Sequence, residues 1–421
     1  MTTGQKVVLA LLAFSLLAGL ATGGGLYYRL SIFWALLYFG SWLWSLFSLR
    51  GLKFKRSART LRAQVGQLFE ERFEVQNQIR FPRLWLEISD QTTLPGSDGS
   101  RVLTMVLGRQ ARSYIARVRL VKRGVFPLGP TRIAGGDLFG LFPVEMKLAE
   151  KDSLLVYPMM VDIKGFPNPP GLLPGGEALR RRTHQITPNA AGIREYSTGD
   201  PLNRIHWLST ARRGRLMVKE FELDPLADVW IFLDGALNVQ SSLPQAPVDY
   251  YIKDFWSYAG KLSLPPSTEE YAISIAASVV RDYLRRGRAV GLACAGQHLM
   301  LISPDRGGRQ LGKILEALAL TQMNGDLPLK ALIETQVKHM VRGSTVVLIS
   351  PSIFSEVALV VDFLLQRGLK PIVVLLDAYS FGGASGTDRL ADRIKYMGVP
   401  YRIVRKDADL SAVLSESYTR S

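Results

Sequence analysis

The chain has 421 residues, a formal net charge of +16 and 47% hydrophobic content. That length makes room for two or three domains, and the composition suits folded domains joined to a membrane segment. A single cysteine, Cys294, excludes a disulfide framework and a cysteine-built zinc cluster, and it fits a reducing compartment.

The charge is unevenly placed. Residues 1–62 carry eight basic and no acidic residues, whereas residues 223–421 carry 21 basic and 20 acidic ones. A nucleic-acid-binding domain would hold its excess on a folded face. The near-neutral C-terminal part therefore argues against a nucleic-acid partner, and the basic excess belongs with a membrane.

Residues 7–28, VVLALLAFSLLAGLATGGGLYY, and residues 30–49, LSIFWALLYFGSWLWSLFSL, contain no charge. Each matches the roughly 20 apolar residues a membrane helix needs. Gly23, Gly24, Gly25 and Arg29 separate them, which predicts a helical hairpin. A second apolar stretch directly after the first weighs against a cleaved signal peptide. The basic flank RGLKFKRSARTLR at residues 50–62 is expected to stay in the cytoplasm, with lipid contact over residues 7–62. The expected location is the cell (inner) membrane, multi-pass, with the C-terminal bulk cytoplasmic.

Four regions follow: 1–62, the transmembrane hairpin with its basic flank; 63–165, a β-rich domain; 166–225, a linker with a motif-rich stretch; and 226–421, an α/β domain. In the second, short alternating runs such as FEVQNQI, LWLEIS and SYIARVRLV predict an antiparallel β-sandwich-like fold. The Gly- and Pro-rich residues 122–145, KRGVFPLGPTRIAGGDLFGLFPVE, read as a turn-laden edge or rim. In the fourth, DVWIFLD, AVGLACAG, STVVLIS and PIVVLLD alternate with helical stretches, which predicts a mostly parallel, Rossmann-type sheet covered on both faces. HLMLIS follows AVGLACAG after one residue and reads as the second arm of a hairpin. Ligands of such sheets bind beyond the carboxyl ends of the strands, where Asp234, Ser350 and Asp377 fall.

The densest chemistry lies in REYSTGDPLNRIHWLSTARRGRLMVKEFE, residues 194–222. Asp200 before Pro201 has the form of a helix start. Leu202, Ile205, Leu208 and Ala211 repeat at helical spacing, Gly214 ends the helix, and RLMVKEFEL alternates as a strand. The candidate residues are Arg194, Tyr196, Gly199, Asp200, Arg204, Trp207, Arg212, Lys219 and Glu222. They suit a structural network of ion pairs and caps, or a surface for a partner's acidic groups. Catalysis fits least: His206 lacks a nearby nucleophile, and Ser209 and Thr210 carry no elbow motif. A hydrolase or transferase using this stretch is the alternative function.

This stretch, with RGVFPLGP and DLFGLF upstream, resembles the signature of the bacterial family named for the domain of unknown function 58. The two apolar N-terminal segments and the α/β end extend the resemblance over essentially the whole chain. The resemblance implies a von Willebrand factor A-like C-terminal domain and a MoxR-type AAA+ ATPase as protein partner. It further implies a non-enzymatic membrane scaffold or adaptor in chaperone-like assembly or envelope stress. Metal-binding A domains carry Asp-x-Ser-x-Ser; here Asp234, Ala236 and Asn238 occupy those positions, and Pro351 stands where an aspartate is usual. The site reads as degenerate. Asp234 and Asn238 are remnants, Asp305 and Asp377 are the acids that would have to compensate, and no metal or cofactor is expected.

The topology is directly testable. A periplasm-dependent reporter such as alkaline phosphatase, fused after Ser421, is expected to be inactive; full activity would reverse the orientation.

Overall fold

The structure, a computed structural model, describes residues 1–97, 99–149, 152–167, 190–197, 205–221, 228–244 and 264–415. Most of the expected linker, residues 168–189, lies outside them. The described chain forms two units, one built chiefly from Met1–Met159 and the other chiefly from Met160–Leu243, Pro266–Ile314 and Thr321–Ser421.

The first unit opens with helices α1 (Thr3–Thr22) and α2 (Gly25–Ser48), both long and apolar enough to cross a membrane. Thr2 and Gln5 cap α1 reciprocally: the Thr2 hydroxyl accepts the Gln5 N–H, and the Gln5 side chain accepts the Thr2 N–H at 2.9 Å. Ten strands follow: β1 (Leu52–Ala58), β2 (Arg62–Gln64), β3 (Leu68–Asn77), β4 (Arg83–Asp90), β5 (Arg101–Val106), β6 (Ala111–Arg119), β7 (Gly124–Pro127), β8 (Thr131–Gly135), β9 (Val144–Leu148) and β10 (Ser153–Tyr157). They form the antiparallel sheets β1-β3-β6 and β5-β4-β8-β9, and a small mixed sheet β2-β10-β7. Strand β3 buries every second residue, and its Phe73 and Val75 share one cluster with Leu86, Ile88 and Ile133 of the four-stranded sheet. Two inner faces filling one core is the packing expected of a sandwich.

Residues 122–145 are an edge only in part. They supply β7, an edge strand of the small sheet, but also β8, an inner strand paired on both sides, to β4 and β9. The Gly and Pro residues of the stretch fall at strand ends or between strands, leaving the body of TRIAG free to pair. The basic flank is likewise partly sheet: β1 pairs with β3 from Leu52↔Asn77 to Ala58↔Glu71.

That pairing carries an interior charge network. Glu71 takes a core-facing position on β3 and is 2% exposed. Arg56 on β1 donates to both of its oxygens, at 2.7 and 2.8 Å, and to both oxygens of Asp90, at 2.9 and 3.1 Å. Burial opposes the guanidinium charge, but the two carboxylates outweigh it and raise the Arg56 pKa above the usual arginine value. One arginine thus pairs with two buried acids and ties β1 to β3 and β4.

The second unit begins with a hairpin of β11 (Ala190–Glu195) and β12 (Met217–Phe221), joined through helix α3 (Trp207–Arg213). Its body contains β13 (Val229–Leu233), α4 (Thr268–Arg285), β14 (Val290–Ala295), β15 (Leu299–Asp305), α5 (Gly308–Leu320), α6 (Leu329–Gln336), β16 (Thr345–Ser350), α7 (Glu356–Gln366), β17 (Lys370–Leu376), α8 (Thr387–Tyr396), β18 (Tyr401–Val404) and α9 (Leu410–Ser415). The sheet order is β15-β14-β13-β16-β17-β18, parallel throughout except for the edge hairpin β14–β15. Strands β13, β14 and β16 are buried along their whole length, which only helices on both faces permit. The parallel part has the doubly wound order that reverses direction between its first and third strands, here β13 and β16. A crevice opens at the carboxyl end of such a reversal.

Replacing Arg56 by methionine would strand Glu71 and Asp90 without a cation. Breaking a buried pair costs about 3–5 kcal/mol, so Arg56→Met is expected to lower the unfolding midpoint of the full chain strongly and Arg56→Lys less so. Unchanged melting in Arg56→Met would remove the network from the account.

Candidate functional site

Strands β13 and β16 end side by side, and each ends on a polar residue. Asp234 follows β13 and is 4% exposed; Ser350 closes β16 and is fully buried. The Ser350 hydroxyl donates to Asp234 Oδ2 at 2.6 Å, and the Ser352 N–H donates to Ser350 Oγ at 3.0 Å. Among the described residues no basic side chain pairs with Asp234. Burial raises its pKa above the usual aspartate value, although the Ser350 bond partly opposes the shift.

The loop after Asp234 is fixed from two sides. Gln240 Nε2 donates to the Asp234 carbonyl at 2.8 Å, and the Thr268 hydroxyl donates to Gln240 Oε1 at 2.8 Å. Thr268 is the first residue of α4, so the helix start holds the loop. On the other side Ala236 bridges to Gly325, and Leu237 N–H reaches the Gly325 carbonyl at 2.8 Å. A Cβ on Gly235 would stand 2.5 Å from the Ala295 carbonyl oxygen, so only glycine permits this approach.

Asp234, Asn238, Lys330, Ser352, Phe354 and Glu356 line a cleft at this edge. At the same carboxyl edge Leu237, Phe354 and Tyr379 are 59%, 54% and 69% exposed. These three follow the carboxyl ends of the adjacent strands β13, β16 and β17. The edge therefore carries exposed apolar side chains as well as a buried acid.

The acids considered as metal compensation separate here. Asp305 pairs in register with Val290, the first residue of β14, which puts it at the amino edge, away from Asp234. Asp377 is at the carboxyl edge but lies 3.5 Å from the Arg405 guanidinium. Asn238 is exposed. Among the described residues no group of three or more His, Cys, Asp or Glu side chains could hold a metal ion.

The motif-rich stretch is only partly described. Gly199, Asp200, Arg204 and Glu222 lie outside the described residues. Arg194 and Lys219 are placed by register alone, Arg194↔Val218 and Ile193↔Lys219. Ile205 is not helical: it is buried and bridges to Val218. The helix starts at Trp207, with His206 as its cap: His206 Nδ1 accepts the Ser209 N–H at 3.2 Å. Gly214 ends it in the left-handed region at φ 64°. No residue of α3 is buried, and Trp207 and Leu208 are 67% and 61% exposed. Of the expected repeat, Leu208 and Ala211 therefore face outward, on the helix that carries Arg212 and Arg213 in its last turn, whereas Ile205 is buried. Tyr196 is half-buried, and its N–H reaches the Leu216 carbonyl at 2.9 Å. A nucleophile does lie near His206: Ser209 Oγ is 2.8 Å from Nδ1.

The elements the sequence pattern missed are α6, Gly325 and the Thr268–Gln240 clasp. The repeat Leu329, Leu332, Ile333 signals α6, all three being buried. Nothing local announces Gly325 or the clasp. Cys294 is a fully buried residue of β14, and burial pushes its thiol up to about 12, so it is no nucleophile.

Asp234 gives a pH prediction. A carboxyl whose folded pKa is raised stabilises the fold below its unfolded pKa and loses that contribution as pH rises through the folded value. Asp234→Asn is therefore expected to melt higher than the parent at pH 8, with the gain shrinking toward zero as pH falls to about 4, the ordinary aspartate range. A variant that melts lower at pH 8 would mean the charge is compensated in the folded state.

Residues 192–242 match the model of the family described as "Protein of unknown function DUF58". Over 338 residues the chain is 23% identical to the "Uncharacterized protein YeaD" of Bacillus subtilis, covering 77% of each. Among solved structures, the GH20 exo β-N-acetylglucosaminidase of Vibrio harveyi is 8% identical with a TM-score of 0.17, over 82% of this chain and 60% of that one; a likeness this weak carries no argument. The family match takes in the hairpin, α3 and the Asp234 loop, whereas Ser350, Ser352, Phe354 and Glu356 of the cleft lie outside it.

Proposed function

We propose that the protein is a membrane-anchored, non-enzymatic scaffold or adaptor that binds a protein partner. The C-terminal unit would act as a von Willebrand factor A-like domain. The partner would be a MoxR-type AAA+ ATPase, in chaperone-like assembly or envelope stress. The observation that carries the reading is the outward-facing α3: Trp207 and Leu208 stand 67% and 61% exposed within the stretch the family model covers. Exposed aromatic residues flanked by arginines are the composition of binding hot spots. The exposed Leu237, Phe354 and Tyr379 support a second contact at the carboxyl edge. In this reading both apolar helices span the inner membrane and both units lie in the cytoplasm, as the basic residues after Leu49 favour.

A hydrolase or transferase reading rests on the Ser209–His206 contact of 2.8 Å. The same Nδ1 also accepts the Ser209 backbone N–H, which is the geometry of a helix cap. We favour the cap.

The test uses the full chain in detergent with a purified MoxR-type ATPase, with ATP and without. Trp207→Ser and Arg212→Glu are each expected to weaken binding by about 30-fold, the scale of a 2 kcal/mol hot spot, with melting nearly unchanged. Reduced melting with binding intact would assign α3 a structural role instead.

A further inference from the structure

The DLFGLF stretch at residues 137–142 plays no part in the proposed partner binding, yet it is built with care. Asp137 is 1% exposed, and its carboxylate accepts three backbone N–H groups: Phe139 at 3.0 Å, Leu141 at 3.1 Å and Phe142 at 2.7 Å. Trp85 Nε1 donates to the Asp137 carbonyl at 3.0 Å. The loop is thus held rigid from within and pinned to β4. It presents Leu138 and Phe139, 67% and 61% exposed, while Leu141 behind them is 4% exposed. Two large apolar side chains held outward on a fixed loop mark a surface that something apolar covers.

The neighbouring helices identify what covers it. The Thr2 hydroxyl, at the start of α1, donates to the Leu141 carbonyl at 3.0 Å. Tyr38 of α2 meets Phe142 edge to face at 5.1 Å. Tyr38 lies ten residues before Ser48, the last residue of α2, or about 15 Å along the axis at 1.5 Å per residue. The loop therefore meets α2 about 15 Å inside its last residue and α1 at its very start, the level of a membrane interface. Tyr38, Trp42 and Trp44 share that portion of α2, and such rings gather at the membrane interface. On the adjoining strand β1, Lys53 and Lys55 are exposed, a charge that suits anionic headgroups.

We infer that the 137–142 loop is an interfacial membrane wedge, with Leu138 and Phe139 inserted among the lipid chains of the leaflet that adjoins the first unit. This inference rests on the reading of α1 and α2 as membrane spans. The wedge fixes the orientation of the β sheets against the bilayer, which a helical hairpin alone does not.

The experiment places one fluorescent thiol label at a time on the full chain in nanodiscs of phosphatidylcholine and phosphatidylglycerol. Cys294 stays silent, being fully buried with its thiol pushed up to about 12. The sites are Phe139→Cys, with Leu138→Cys as a second loop position, Leu17→Cys within α1, and Tyr396→Cys on α8 as an aqueous control 94% exposed. Lipids with a nitroxide high on the acyl chain are expected to quench both loop labels at least twofold more than they quench the control, and aqueous iodide less. Leu17→Cys is expected to be quenched by nitroxides deep in the chain. If Leu17→Cys is lipid-quenched but the loop labels answer only to iodide, the wedge is overturned and the membrane spans stand. Loop labels shielded from both quenchers would mean that protein covers the loop, which also overturns the wedge. If Leu17→Cys answers to iodide, the membrane reading itself fails and the wedge with it.

Discussion

A parallel sheet covered on both faces has no room for polar side chains along its strands, and this constraint shapes the whole second unit. Strands β13, β14 and β16 are buried from end to end. An unpaired polar group inside them would cost a few kcal/mol, so chemistry is displaced to the strand ends. Asp234 and Ser350 occupy the ends of the two strands between which the winding reverses, and they hydrogen-bond to each other at 2.6 Å. The loop carrying Asp234 is then held by Gln240, Thr268 and Gly325. In the proposed reading this fixed acid, with exposed apolar residues at the same edge, serves recognition, and its buried charge costs the fold stability as pH rises.

The first unit meets the opposite problem, because its sheets place acids inside. Glu71 and Asp90 are both nearly inaccessible, and one guanidinium answers both. Asp137 solves a similar problem without a cation, by accepting three backbone N–H groups. In both cases a buried acid organises a segment next to the apolar helices: Arg56 fixes β1, the strand that follows α2, and Asp137 fixes the loop that touches α1 and α2.

Much of this was legible from residue patterns. The strands of the second unit are short apolar runs between helical stretches, and β14–β15 is the antiparallel pair their close spacing predicts. The two N-terminal helices follow from the two charge-free stretches, although Gly25 and Arg29, expected to separate them, fall inside α2. The pattern misled where two signals overlapped. In LKFKRSA the alternation that makes β1 was masked by its basic residues, and in TRIAG the inner strand β8 was masked by flanking Gly and Pro. In the motif stretch, the spacing of Leu202, Ile205, Leu208 and Ala211 implied a buried helical stripe. Ile205 belongs to a β-bridge, and Leu208 faces outward. Periodicity reports a helix face but not what covers it. The Asp234–Ser350 contact joins residues 116 positions apart, and the Arg56–Asp90 pair spans 34. No local pattern encodes such meetings.

In the proposed reading α3 faces a protein partner, and the fold has no need of its exposed side. Site-specific photocrosslinking in cells tests this most directly. A benzophenone amino acid replaces Trp207 in one strain and Tyr396, 94% exposed on α8, in another. The account predicts a discrete crosslink from position 207 to an AAA+ ATPase, responsive to ATP depletion, and none from position 396. The same products from both positions, or a crosslink from 396 alone, would contradict it.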